Sequence, residues 1–197
     1  MSETTTVAVA IWDGVEELDV VGPYEVLSAW AAHANGHRSI SVHTVAERSG
    51  EVRCAHGLRL LPDRTWPEIG EVDVLVLPGG HAGAQAEDER VLARVRDHGE
   101  NGTLLTSVCT GALILAAAGL LEGKPATTHW SALEALGSYG NVHVRPDHRF
   151  VDTGQVVTSA GVSAGIDMAL HLVARLDSPE RAKAVRRYIQ YDPQPPV

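Results

Sequence analysis

The chain has 197 residues, 44% hydrophobic and 21% charged, enough for one α/β domain that removes roughly 70% of its unfolded surface from water without disulfide staples or a structural metal. Sixteen Lys and Arg against twenty-five Asp and Glu leave a net charge of −9, the wrong sign for holding nucleic acid or an anionic membrane by bulk electrostatics. With two cysteines, no basic leader in MSETTTVAVA and no run near the ~18 apolar residues of a membrane span, the chain reads as a single cytoplasmic domain over 1–197 with reduced thiols.

The apolar run VAVAIW at 7–12 meets the turn signal Asp13-Gly14 and predicts a strand buried on both faces. Pro23 then predicts the opening of a helix with Val26, Leu27, Trp30 and Ala31 on its apolar positions and Gly36 as its stop. A second strand follows at 39–46, and 51–62 reads as a small hairpin around His56-Gly57. VDVLVLPGG at 72–80 is a strand halted by Pro78-Gly79-Gly80, with an amphipathic helix at 88–99 behind it.

Within 103–121 a strand ends near Val108 and a helix begins directly after Cys109. ATTHW at 126–130 reads as a short strand ending, and VHV at 142–144 and QVVTS at 155–159 as further strands. Helices at 165–176 and 179–190 precede a Pro-rich tail, PQPPV. This alternation implies an α/β fold: a doubly wound, mostly parallel sheet covered on both faces.

Cys109 stands in SVCTG, at a tight junction between a buried strand and a helix. That is a nucleophile elbow with Cys in place of Ser, and the helix N-terminus beside the sulfur predicts a lowered pKa and a thiolate. The alternative is a buried structural cysteine, which is how Cys54 reads. Asp19, between Leu18 and Val20-Val21, is either a helix N-terminal acid or a carboxyl whose apolar setting raises its pKa so that it donates a proton near the sulfur. The Gly80 amide, with that of Thr110, is a candidate two-donor site for negative charge. His129 and Trp130 are candidate site residues, with packing inside the core as the alternative. No histidine pair has metal-ligand spacing, and neither G-x-G-x-x-G nor a P-loop occurs, so cofactor-free thiol chemistry is expected and no metal.

ELDVVGPYEVL at 17–27, VLPGG at 76–80, TSVCTGALILAAAGLLEGKPATTHW at 106–130, TSAGVSAGIDMAL at 158–170 and QYDPQPP at 190–196 together resemble the PfpI superfamily. Its fold is flavodoxin-like, similar to that of class I glutamine amidotransferases, and within it the chain looks most like the isocyanide hydratases. The resemblance implies a nucleophilic Cys109 and an acid at Asp19, where many members carry Glu. It also implies Thr110 after the nucleophile, where the proteases of the superfamily place His. The implied reaction turns an isocyanide, R–N≡C, into an N-substituted formamide without cofactor, by addition of Cys109 and proton transfer from Asp19. In it Thr110 and Gly80 position water or stabilise charge, and Trp12 and Trp130 wall the R group. A small-molecule substrate and a homodimer are implied, with no nucleic-acid or membrane partner. Some hydratase relatives continue past the QYDPQPP segment. The superfamily also leaves open action on glyoxals or glycated groups through the same cysteine, and non-enzymatic ligand or oxidation sensing. The charge and the want of a helical DNA-binding domain weigh against a regulator.

Overall fold

The computed structural model describes residues 3–33 and 38–193. In chain order these form β1 (Glu3–Ala10), α1 (Glu17–His33), β2 (Arg38–Ala46), β3 (Val52–Arg53), β4 (Arg59–Leu60), β5 (Arg64–Thr65), α2 (Trp66–Ile69), β6 (Val74–Leu77), α3 (Gly83–Glu87), α4 (Glu89–Glu100) and β7 (Leu104–Ser107). There follow α5 (Gly111–Ala117), β8 (Pro125–Ala126), a 3-10 turn (Trp130–Ala132), α6 (Leu133–Gly137), β9 (His143–Val144), β10 (Phe150–Asp152), β11 (Val156–Ser159), α7 (Ala164–Leu176) and α8 (Pro179–Tyr188).

The main sheet has the order β10-β11-β7-β6-β1-β2-β5. Its pairings are parallel except for β10, which runs antiparallel to β11. The expected doubly wound sheet is therefore present, with an antiparallel edge. Successive strand residues point to opposite faces, and here they feed two cores. Val7, Val9, Val74, Val76 and Val157 join Leu27, Trp30, Met168 and Leu172 of α1 and α7. Ala8, Ala10, Leu75, Leu77 and Leu105 join Leu92, Val95, Ile114 and Leu115 of α4 and α5. Burial on both faces explains why the central strands read as unbroken apolar runs.

Helix α1 begins at Glu17, six residues before Pro23, and so contains that proline. Pro23 has no N–H to return to the Asp19 carbonyl, and a helix interior ordinarily excludes it. Here it is buried, and its Cγ packs close to Gly165 of α7, so tertiary contact overrides local preference. The first strand starts earlier than predicted, because β2 pairs with it from Glu3 onward, and it ends at Ala10 rather than residue 12. The hairpin is present as β3–β4. The predicted helix stop at Gly36 and most of the Pro-rich tail lie outside the described residues. No helix among the described residues is long and apolar enough to cross a membrane.

The carboxyl ends of β1, β6, β7 and β11 reach one edge of the sheet. In open α/β sheets that edge is where loops meet to form sites.

Candidate active site

Chain reversal between β7 and α5 is achieved in three residues. Cys109 sits at φ +57, a left-handed conformation costing an ordinary side chain roughly 1–2 kcal/mol. Its N–H donates to Ala160 O at 3.1 Å, and its carbonyl accepts the Thr128 hydroxyl at 2.6 Å. A Cβ on Gly111 would lie 2.1 Å from Leu77 O and 2.6 Å from Pro78 O. Only glycine lets α5 start this close to the end of β6.

Asp19 comes from the first turn of α1 and is fully buried. Its Oδ2 accepts the Gly79 N–H at 2.8 Å, while Oδ1 has no hydrogen-bond partner. The Cys109 thiol and the Val162 N–H lie near enough to favour the charged form of this carboxyl. A Cβ on Gly79 would stand 2.6 Å from Thr110 N and 2.8 Å from Asp19 Oδ2, so the loops after β6 and β7 and the start of α1 converge on a point that only glycine can occupy. The structure thus brings Cys109, Asp19 and Thr110 together as expected. Of the PGG turn, however, Gly79 carries the contact to the acid, while Gly80 offers its carbonyl to the Thr110 hydroxyl at 3.0 Å.

Burial dominates the electrostatics. It pushes the Asp19 carboxyl up to about 7; the Gly79 N–H opposes the shift, the Glu16 charge adds to it, and the Cys109 thiol and Val162 N–H oppose it. Burial likewise pushes the Cys109 thiol up to about 11, helped by the negative charge of Asp19 and opposed by the Thr110 and Val162 amides and the Thr110 hydroxyl. The expectation of a raised Asp19 pKa holds. That of a thiolate made by the helix end is corrected: α5 has only 7 residues, and its N-terminal field does not overcome desolvation beside a carboxylate. Both shifts disfavour the charged forms, and the carboxyl stays the stronger acid of the two.

Val162, at φ +50 in the loop after β11, carries no sequence signal, yet its amide favours the charged form of both groups. His129 lies against the same loop, so that a Cβ on Gly161 would be 2.1 Å from its Cδ2. Its Nδ1 lies 2.7 Å from the Ser131 hydroxyl and accepts the Ser131 N–H at 3.3 Å, which assigns the proton of the neutral ring to Nε2. Trp130, beside it at 5.4 Å between ring centroids, is 77% exposed and is not the core tryptophan of the packing alternative. Trp12 lines a separate small cavity with Leu77, Trp66 and Arg94, whose walls include neither Cys109 nor Asp19.

Linear spacing showed no metal ligands, yet folding brings Glu16, Glu17 and His56 together. His56 Nδ1 stands 3.1 Å from Glu17 Oε2 and 3.5 Å from Glu16 Oε2. Glu17 Oε1 is taken by the His56 and Leu58 amides, so the group already serves to clamp the β3–β4 turn onto α1.

A strained cysteine elbow beside a buried acid, at the carboxyl edge of a doubly wound sheet, defines a thiol-bearing α/β class. The DJ-1/PfpI family model matches residues 5–175, and the chain belongs to that family. It is 38% identical to isonitrile hydratase of Pseudomonas putida over 183 residues, covering 92% of this chain and 76% of that one. It is 32% identical over 144 residues to the HTH-type transcriptional regulator CdhR of Pseudomonas aeruginosa, covering 73% of this chain but only 43% of the regulator. Among solved structures, a THiJ/PfpI family protein from Pseudomonas syringae superposes with a TM-score of 0.88 at 34% identity, covering 100% of this chain and 78% of that one. DJ-1beta of Drosophila melanogaster superposes with a TM-score of 0.84 at 24% identity, covering 96% of this chain and 100% of that one, a likeness of fold.

Proposed function

We propose that the protein hydrates an isocyanide, also called an isonitrile, to the N-substituted formamide, with Cys109 as nucleophile and Asp19 as proton carrier. The observation that carries this reading is the buried Asp19 brought to the Cys109–Thr110 elbow, its Oδ2 and the Thr110 N–H converging on Gly79, where burial raises the pKa of both the acid and the thiol. The 38% identity to isonitrile hydratase supports the substrate class.

In the proposed reaction, sulfur bonds to the terminal carbon of R–N≡C as its proton passes to the Asp19 carboxylate. Asp19 returns that proton to the same carbon, giving the thioimidate R–N=CH–S. Water then adds to the carbon, losing a proton to Asp19, which delivers it to nitrogen. The C–S bond breaks as the remaining hydroxyl proton returns to sulfur, and R–NH–CHO leaves. The balance consumes one water and nothing else. The Thr110 N–H, which stands at the sulfur, and the Gly80 amide are proposed to steady the developing charge. His129 and the exposed Trp130 offer the R group a polar edge and an apolar surface at the mouth. A homodimer is proposed to cover exposed Leu18, Val21 and Leu58. Sedimentation of the wild type as a monomer would end that part of the reading.

The test is formamide production from several isocyanides by wild type, Cys109→Ala and Asp19→Ala, with methylglyoxal consumed or not in parallel. Formamide from wild type alone is expected. Near-normal formamide from Cys109→Ala would reject the covalent route, and consumption of methylglyoxal only would move the substrate class. Saturable isocyanide binding without turnover would replace catalysis by ligand sensing.

A further inference from the structure

The threonine pair of ATTHW has no part in the reaction above, although both residues are buried among the polar side chains beneath the elbow. The Thr127 N–H donates to Thr158 Oγ1 at 3.0 Å, tying the segment to β11. From that anchor Thr128, 1% exposed, gives its hydroxyl to the Cys109 carbonyl at 2.6 Å. The other bond to that carbonyl, from Ala112 N, is long at 3.4 Å. Cys109 is thus held at its strained φ by two ties from outside the elbow, Ala160 O on its N–H and Thr128 Oγ1 on its carbonyl.

We infer that Thr128 is a positioning residue for Cys109: its hydroxyl keeps the elbow in the left-handed conformation that places the sulfur under the Thr110 and Val162 amides. This rests on the proposed function only in taking Cys109 as the reacting thiol. Backbone strain persists only where surrounding structure over-determines it, and a buried carbonyl robbed of its short partner favours rearrangement. A free elbow would swing the sulfur away from the two amides that favour its anionic form. The charged groups facing the sulfur lie outside the substituted segment: Asp19 faces it from α1, and Glu16 acts on Asp19 from beyond.

The test is the rate of Cys109 alkylation by iodoacetamide across pH, read by peptide mass, for wild type, Thr128→Val and Thr128→Ser. The valine variant is expected to alkylate about tenfold more slowly near neutrality, the loss of one buried hydrogen bond, with the midpoint of its pH profile moved upward. The serine variant, which keeps the hydroxyl, is expected to stay within about twofold of wild type on the same reasoning. A folded valine variant with an unshifted rate and midpoint overturns the inference, as does a serine variant impaired equally. Should the valine variant not fold by circular dichroism, Thr128→Ala is read by the same two criteria. Alkylation needs no isocyanide, so a wild type that forms no formamide while showing these shifts would defeat the proposed function and leave this inference standing.

Discussion

Replacing Asp19 with Asn should move thiol acidity and turnover in opposite directions. The side chain is fully buried and its Oδ2 accepts the Gly79 N–H at 2.8 Å; an amide oxygen preserves that bond while removing the charge. The Cys109 thiol stands at about 11 against an ordinary 9.0, a difference of about 2.7 kcal/mol, with burial the larger cause and the Asp19 charge the next. Removing the second cause leaves the first, so the variant should hold roughly tenfold more thiolate at a fixed pH below its titration, on the order of 1 kcal/mol. Cys109 is only 6% exposed, so solvent screening erodes little of this. Formamide production should nevertheless fall by about 10²–10⁴, the usual contribution of a positioned proton carrier. Ultraviolet thiolate absorbance against pH reads the first effect and initial rates read the second. A variant that is both more acidic and fully active would show that thiolate supply, not proton delivery by Asp19, limits the reaction; an unmoved thiol titration would refute the assigned electrostatics.

Three further outcomes follow from the same geometry. Since the Asp19 carboxylate receives the thiol proton in the proposed reaction, kcat/KM should rise as pH passes through about 7 and then hold until the thiol itself titrates; a profile falling through that pH would require Asp19 to start protonated. A carboxyl whose folded-state pKa lies above its unfolded one binds its proton more tightly when folded, so its cost to stability is absent below the unfolded value and grows as pH rises from 3.8 toward about 7. Asp19→Asn should therefore raise the unfolding free energy measured in urea at neutral pH, by about 4 kcal/mol at the upper bound, with the gain vanishing in acid; an equal gain at both pH values would contradict the assignment. Gly111→Ala drives a Cβ to 2.1 Å from Leu77 O, backbone that cannot rotate away, and should cost about 3 kcal/mol in urea unfolding; a loss below about 1 kcal/mol would mean the elbow relaxes freely.

The central strands were legible because burial on both faces demands continuous apolar runs, and VLVL at 74–77 meets no competing helix period. The start of α1 was hidden by Pro23, whose local preference is outweighed by packing against α7. β5 and β10 have 2 and 3 residues, too few for a period to show, and they exist through pairing, β5 with the distant β2 and β10 with the adjacent β11. At the site, Cys109 and Asp19 stood out because each combines an unusual residue with an apolar neighbourhood. That the Gly79 amide meets the acid was not legible, because a Pro-Gly-Gly turn shows that glycine is needed without showing which amide faces the start of α1. Val162 and Thr128 act through a backbone amide and a bond spanning 19 residues, and neither leaves a local trace.

The location of the shared proton shows where such reading ends. A helix N-terminus is visible in sequence and its field has a known sign, so a thiolate was the natural expectation for Cys109. Desolvation has no sequence signature, because it depends on how completely α1, the PGG turn and the loop after β11 close over the pair. Once they do, both anions are disfavoured, and the carboxyl, the stronger acid to begin with, ionises first. The upward shift of the Cys109 thiol favours its neutral form, which is less open to oxidation than a thiolate. In the proposed reaction Asp19 is accordingly the base of the first step and the acid of the second, an order that rests on packing rather than on the helix dipole.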